Sequence, residues 1–178
     1  MFRPSIWLLL LLPACFFPDS LEHYVHGHWG GLGMPWNYRR NYFNPWLQHE
    51  LVPDILFGPP PAVLQVVYNN SYPVNFGAVL TPTQVQSQPT FLRWPCRGDS
   101  LYTLVFLGFH RYTYLIFLQP KQIEFDEPTI SNTSATERPS FNLMDFAGKY
   151  WLTLLAGNFY RAQYDSYVPT LYAQLGFA

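Results

Sequence analysis

The sequence predicts an α+β domain that is mainly β. Three observations carry this. Aromatic residues make up 19% of the chain and cluster with Val, Leu and Thr in runs of strand length. The 17 Pro and 11 Gly cut those runs into short elements. Helical spacing of apolar residues appears only towards the C-terminal end, so strands come first and helices last. The 178 residues suit one domain with some extra sequence. Charged residues are 12% of the chain and the net charge is -1. No sustained basic stripe exists, and Arg39-Arg40 alone gives a nucleic-acid backbone nothing extended to grip.

The chain starts MFRPSIWLLLLLPACFFPDS, with Arg3, an apolar run from Ile6 to Leu12, small residues Ala14 and Cys15, and Pro18. That is the layout of a secretory signal over residues 1–20, and it predicts a secreted protein. The alternatives are a buried N-terminal strand or an uncleaved anchor, and the chain would be cytoplasmic if the apolar run is not a signal. The run is too short for a stable membrane span. Cleavage beyond Cys15 would leave Cys96 as the sole cysteine, free or paired with another chain. Residues 21–47 mix Gly, aromatics, Asn and His without period and read as an irregular leader. The domain is expected over residues 48–178.

Within it, HELVPDIL suggests a short helical turn or extended entry, and GPPP a polyproline stop. AVLQVVY alternates as a strand and NNSYP is its turn. VNFGAVLTPTQVQSQPTFLRW reads as strand, Thr/Pro turn, strand. FNLMDFAGKYW places Phe141, Met144, Ala147 and Tyr150 or Trp151 on one helical face. YVPTLYAQLG puts Pro169 near a helix start and Gly176 past its end, with Tyr164, Val168, Leu171, Tyr172 and Leu175 as the packing face. Sequons occur at Asn69 and Asn132, both in polar turn-like sequence.

One stretch resists a simple reading. SLYTLVFLGFHRYTYLIFLQP, Ser100 to Pro120, has a single charge. A membrane helix would centre His110-Arg111 in lipid, at about 2.5–3.5 kcal/mol for the Arg. A single strand from Leu101 to Leu118 would run about 60 Å, far beyond ordinary strands. A hairpin finds only Gly108 as turn chemistry.

The motifs VPDIL, PPPAVLQVVY, LTPTQVQSQPTF, LYTLV, FHRYTYLIFLQP, RPSFNLMDFAGKY and AGNFYRAQYDSYVPTLYAQLG, in that order, resemble the phosphatidylethanolamine-binding (Raf kinase inhibitor-like) proteins of animal type. The resemblance runs from about Gln48 to Gly176. It departs at one place. In the family a strand like LYTLV leads into an Asp-Pro-Asp-x-Pro loop, a His-Trp strand and a Gly-Pro-Pro loop before the G-x-H-R-Y strand. Here Phe106 to Tyr112 follow Val105 directly, so the central segment is missing and two family strands are joined. The resemblance implies an incomplete antiparallel Greek-key sheet with C-terminal helices.

It also implies a site. The family's anion pocket uses the His and Tyr of its H-R-Y strand and a Tyr of its last helix, which correspond to His110, Tyr112 and Tyr172. Neutral imidazole and phenols donate hydrogen bonds to a phosphate or carboxylate. The family's Asp, second His and Gly-Pro-Pro contributions have no counterpart.

No other constellation rises to a site. His23, His26 and His28 lie in a Gly-rich loop without a thiol or carboxylate partner, and no metal is expected. G-x-S-x-G, H-E-x-x-H and C-x-x-C are absent, and Asp99, Asp126 and Glu127 form no evident acid/base pair. The expectation is a non-enzymatic binding module without cofactor, holding a phospholipid headgroup or small anionic or apolar ligand. The alternatives are a serine-protease or kinase inhibitor acting through protein contacts, or a shortened isoform that binds no ligand.

Overall fold

The structure is a computed structural model that describes residues 5–12, 44–109, 111–127 and 141–174. Among them are nine strands: β1 Ser5–Leu12, β2 Ala62–Val63, β3 Gln65–Tyr68, β4 Tyr72–Pro73, β5 Ala78–Leu80, β6 Phe91–Arg93, β7 Tyr102–Phe109, β8 Arg111–Leu118 and β9 Thr153–Ala162. Two helices of seven residues each follow the same order, α1 Leu143–Lys149 and α2 Val168–Gln174. The larger sheet runs β1-β7-β8-β9-β2, with β5 also on β9; the smaller runs β4-β3-β6.

The stretch from Ser100 to Pro120 is a hairpin. β7 and β8 are antiparallel partners from Tyr102↔Leu118 to Phe109↔Arg111. Gly108 serves it by leaving space. A Cβ there would fall 2.7 Å from the ring of Tyr112, its cross-strand partner. The membrane-like hydropathy follows from burial on both faces. Leu115 and Phe117 of β8 enter one core with Trp46, Leu51, Leu56, Phe159 and α1. Tyr114 and Ile116 enter a second core with Val66, Tyr68, Val74 and Trp94 of the smaller-sheet region.

The AVLQVVY run is two strands in two sheets. β2 pairs parallel with β9, and the Leu64 N–H donates to the Gly157 carbonyl at 3.1 Å. β3 then pairs antiparallel with β4 and β6. β5 also lies parallel to β9, so the otherwise antiparallel sheet is mixed along one edge of that strand. NNSYP makes the β3–β4 turn. Asn69 and Asn70 both take positive φ (46 and 53°), and the Ser71 N–H bonds the Tyr68 carbonyl at 3.0 Å, a type I′ turn. In HELVPDIL the turn Leu51–Asp54 is interrupted by Val52, which is extended at φ -115° and ψ 120°.

The helix faces differ in detail from their expectation. Asn142 caps α1 by accepting from Met144 N and Asp145 N at 3.0 and 3.3 Å. Its buried residues are Leu143, Phe146 and Ala147, while Phe141, Met144 and Tyr150 pack only partly and Trp151 is 80% exposed. The apolar residues of FNLMDF flank the stripe on both sides, so the sequence placed it too far round. On α2, Val168 is buried but Tyr172 is exposed, as is Tyr164 ahead of the helix. Leu175 and Gly176 lie outside the described residues.

Two features involve the segments before Gln48. Trp46, placed in the leader, is fully buried and packs on Phe159 at a centroid distance of 4.9 Å. In the full-length chain β1 runs antiparallel to β7, from Ser5↔Gly108 to Leu12↔Tyr102. Cys96 is disulfide-bonded; the chain's other cysteine, Cys15, lies outside the described residues.

Candidate functional site

β8 alternates, so Tyr112, Tyr114 and Ile116 face the smaller sheet while Arg111, Thr113 and Leu115 face away. Tyr112 stands opposite Tyr160 of β9, and their rings stack at 5.0 Å with planes 8° apart. Phe106 of β7 stacks on Tyr112 at 5.8 Å and on Tyr114 at 4.3 Å. The Tyr68 and Tyr114 hydroxyls are hydrogen-bonded to each other, and the Tyr68 ring meets Tyr160 edge-on at 6.1 Å. Strands of two sheets thus converge on one layer of phenols.

Burial dominates the electrostatics of this layer. It pushes the Tyr114 and Tyr160 phenols well above the ordinary tyrosine range, and neighbouring phenols add to the effect. Tyr68 is raised by burial, partly offset by its hydrogen bonds. Tyr112 is raised by burial and then by Tyr172, whose charge would oppose its own. All four therefore stay neutral at physiological pH and act as hydrogen-bond donors and acceptors, not as bases or nucleophiles.

Of the residues expected to form a site, the structure brings Tyr112 and Tyr172 into mutual influence. Tyr112 is half-buried in the sheet, and Tyr172 is 53% exposed on α2. His110 lies between β7 and β8, outside the described residues. Asn69 is exposed at the β3–β4 tip; Asn132 and the His23, His26 and His28 group are outside the described residues. Sequence reasoning missed Tyr160, the residue on which Tyr112 rests. Its signal was the alternation in GNFYRA, which sends Asn158 and Tyr160 to one face and Phe159 and Arg161 to the other. An open cleft of about 530 Å³ lies on that other face.

Among the described residues no group of three metal-ligating side chains assembles, and no helix is long and apolar enough to cross a membrane.

The architecture defines the class: a mixed α+β domain, mainly strands, with an incomplete sheet and C-terminal helices, of the phosphatidylethanolamine-binding type. A carboxypeptidase Y inhibitor, solved in complex with its cognate proteinase, matches 72% of this chain and 100% of its own at a TM-score of 0.51 and 16% identity. The solution structure of CG7054 matches 71% of this chain and 98% of its own, at 0.51 and 28% identity. No family model matches the chain. Among sequences, it is similar to a candidate odorant-binding protein, A5, of Drosophila melanogaster, 25% identical over 169 residues that take in 68% of this chain and 80% of that protein. A 26 kDa secreted antigen of Toxocara canis is 26% identical over 162 residues, 64% of this chain and 61% of the antigen. Both alignments run longer than the part of this chain they contain. The relatives thus carry several dozen residues without counterpart here.

Proposed function

We propose that the chain is a secreted, non-enzymatic binding protein that holds a phospholipid headgroup or a similar small anion-bearing ligand at the open end of the tyrosine layer. The observation that carries this reading is the Tyr112–Tyr160 stack with Tyr172 beside it. Neutral phenols supply donors to an oxyanion, and the half-buried Phe106 supplies an apolar face for the rest of the ligand. Relatives named for odorant binding and secretion support a binding role outside the cell.

The test is a titration of the full chain with short-chain phosphoethanolamine lipid below its micelle concentration, followed by thermal midpoint. Wild type should rise with ligand as mass action requires. Tyr172→Phe, which removes one exposed hydroxyl and little packing, should weaken the response several-fold while leaving the ligand-free midpoint in place. An unchanged midpoint in wild type sinks this reading and favours a shortened isoform without ligand binding. A second reading, inhibition of a protease through protein contacts, draws on the carboxypeptidase Y inhibitor. Failure to slow carboxypeptidase Y or a panel of serine proteases at micromolar concentration would remove it.

A further inference from the structure

The cleft on the opposite face of β8 and β9 is built around a repulsion. Arg111 and Arg161 stand directly across from one another. Like charges in that relation are destabilising, and a sheet normally sets an acid or an apolar side chain there. Val79 of β5 pairs with Arg161 on its other side, so one aliphatic side chain and two guanidiniums form a row across three strands. Gln48, His49 and Glu50 line the cleft from the turn before Leu51, and Ala162 and Gln163 from the end of β9. Its volume, about 530 Å³, is that of a small-molecule site.

The two arginines are not equally compensated. Arg111 lies 3.6 Å from the Glu50 carboxylate and 3.9 Å from that of Asp54. These contacts are long, and both acids are more than half exposed, so the pairs are loose and solvent-screened. Arg161 makes no ion pair among the described residues. Its Nε–H donates to the Gly77 carbonyl at 2.9 Å, which orients the guanidinium and leaves the four N–H groups of its terminal nitrogens for another acceptor.

The third donor is held in place. The His49 ring packs edge-on to Phe159 at 5.3 Å and lies so close over Gly77 that a Cβ there would come within 2.6 Å of Nε2. Burial and the two arginines, Arg161 first, lower its basicity, so the imidazole is neutral at physiological pH while nothing occupies the cleft. An anion would reverse the arginine contribution and let His49 take up a proton. Glu50, in the left-handed region at φ 56° and 74% exposed, sits at the rim where it can release Arg111 to an incoming anion.

We propose that this cleft is a phosphate-binding site in which Arg161 and Arg111 grip the oxyanion and His49 donates a third hydrogen bond. Two guanidinium forks and an imidazole offer more donors than a carboxylate's two oxygens need, and a tetrahedral phosphate presents three. The phosphate arrives either free or as the headgroup of a lipid.

The experiment titrates the full-length protein with inorganic phosphate at constant ionic strength, following thermal midpoint and the His49 ring signals by NMR. A parallel arm measures sedimentation with phosphatidylcholine vesicles, with and without phosphatidic acid. Saturable phosphate binding that moves the His49 signals, and that weakens about tenfold or more in Arg161→Gln, supports the site and a free phosphate source. Binding only to phosphatidic acid vesicles, lost in the same variant, supports the site with a lipid source. Val79→Glu keeps both arginines and sets a carboxylate beside Arg161, so it should abolish either response in a folded protein. Absence of both responses, or responses that survive Arg161→Gln and Val79→Glu, overturns the proposal. Tyr172→Phe should leave the phosphate response intact, which separates failure here from failure of the tyrosine site.

Discussion

Asn158 shows how much one polar residue can hold in a core this apolar. It is 2% exposed. Its Nδ2 donates to the carbonyls of Leu64 and Val74 at 2.9 and 3.0 Å, and its Oδ1 accepts from the N–H groups of Phe76 and Phe159 at 3.0 and 2.9 Å. Leu64 is where the chain passes from the larger sheet to the smaller, so the amide satisfies backbone groups the crossover would otherwise strand. Asn158→Leu keeps the volume and removes every bond. It should cost about 2–4 kcal/mol of unfolding free energy by urea denaturation, since several buried groups lose their partners. A loss below about 1 kcal/mol would mean that water replaces the amide and the crossover does not depend on it. Gly157 beside it is also fixed, because a Cβ there would meet the Pro60 ring at 2.6 Å.

Elements were legible to different degrees, and the reasons are physical. Strand identity in AVLQVVY, AVL and FLRW followed from β-branched and aromatic content. The break at Leu64 did not, because alternation continues through it and only its partners, Gly157 and Asn158, reveal the change of sheet. The hairpin was obscured because burial on both faces removes the alternation that marks a strand. For the site, Tyr112 and Tyr172 came from family resemblance, while Arg111 facing Arg161 depends on a register between strands far apart in sequence. The NNSYP turn was legible, and its type I′ geometry makes a sharp prediction. Asn70→Gly should raise stability by about 0.5 kcal/mol, since Gly takes positive φ without steric cost. It also preserves the Asn69-x-Ser71 sequon. A lower thermal midpoint would show that the Asn70 side chain contributes more than its backbone costs.

At the scale of the molecule, β7 has β8 on one side, and β1 fills its other side. β7 carries no charge along its length, which makes its outer edge a template for another strand if β1 is removed. A chain beginning at residue 21 should therefore unfold at lower temperature than the full chain and self-associate with rising concentration. Sedimentation velocity and thermal unfolding of the two forms side by side check this. Identical behaviour would show that β1 adds nothing to the fold.

The pairing of β1 with β7 also sets a race during synthesis. Ser5 meets Gly108, so the first strand must wait while roughly a hundred further residues are made, some 5–20 seconds at ordinary elongation rates. A peptidase acting on the nascent chain meets the apolar segment as a loose end throughout that interval. Once the hairpin has emerged, the same segment is paired along β7 as the edge strand of the larger sheet and is no longer a loose end. Which event comes first decides whether this gene product matures with β1 or without it.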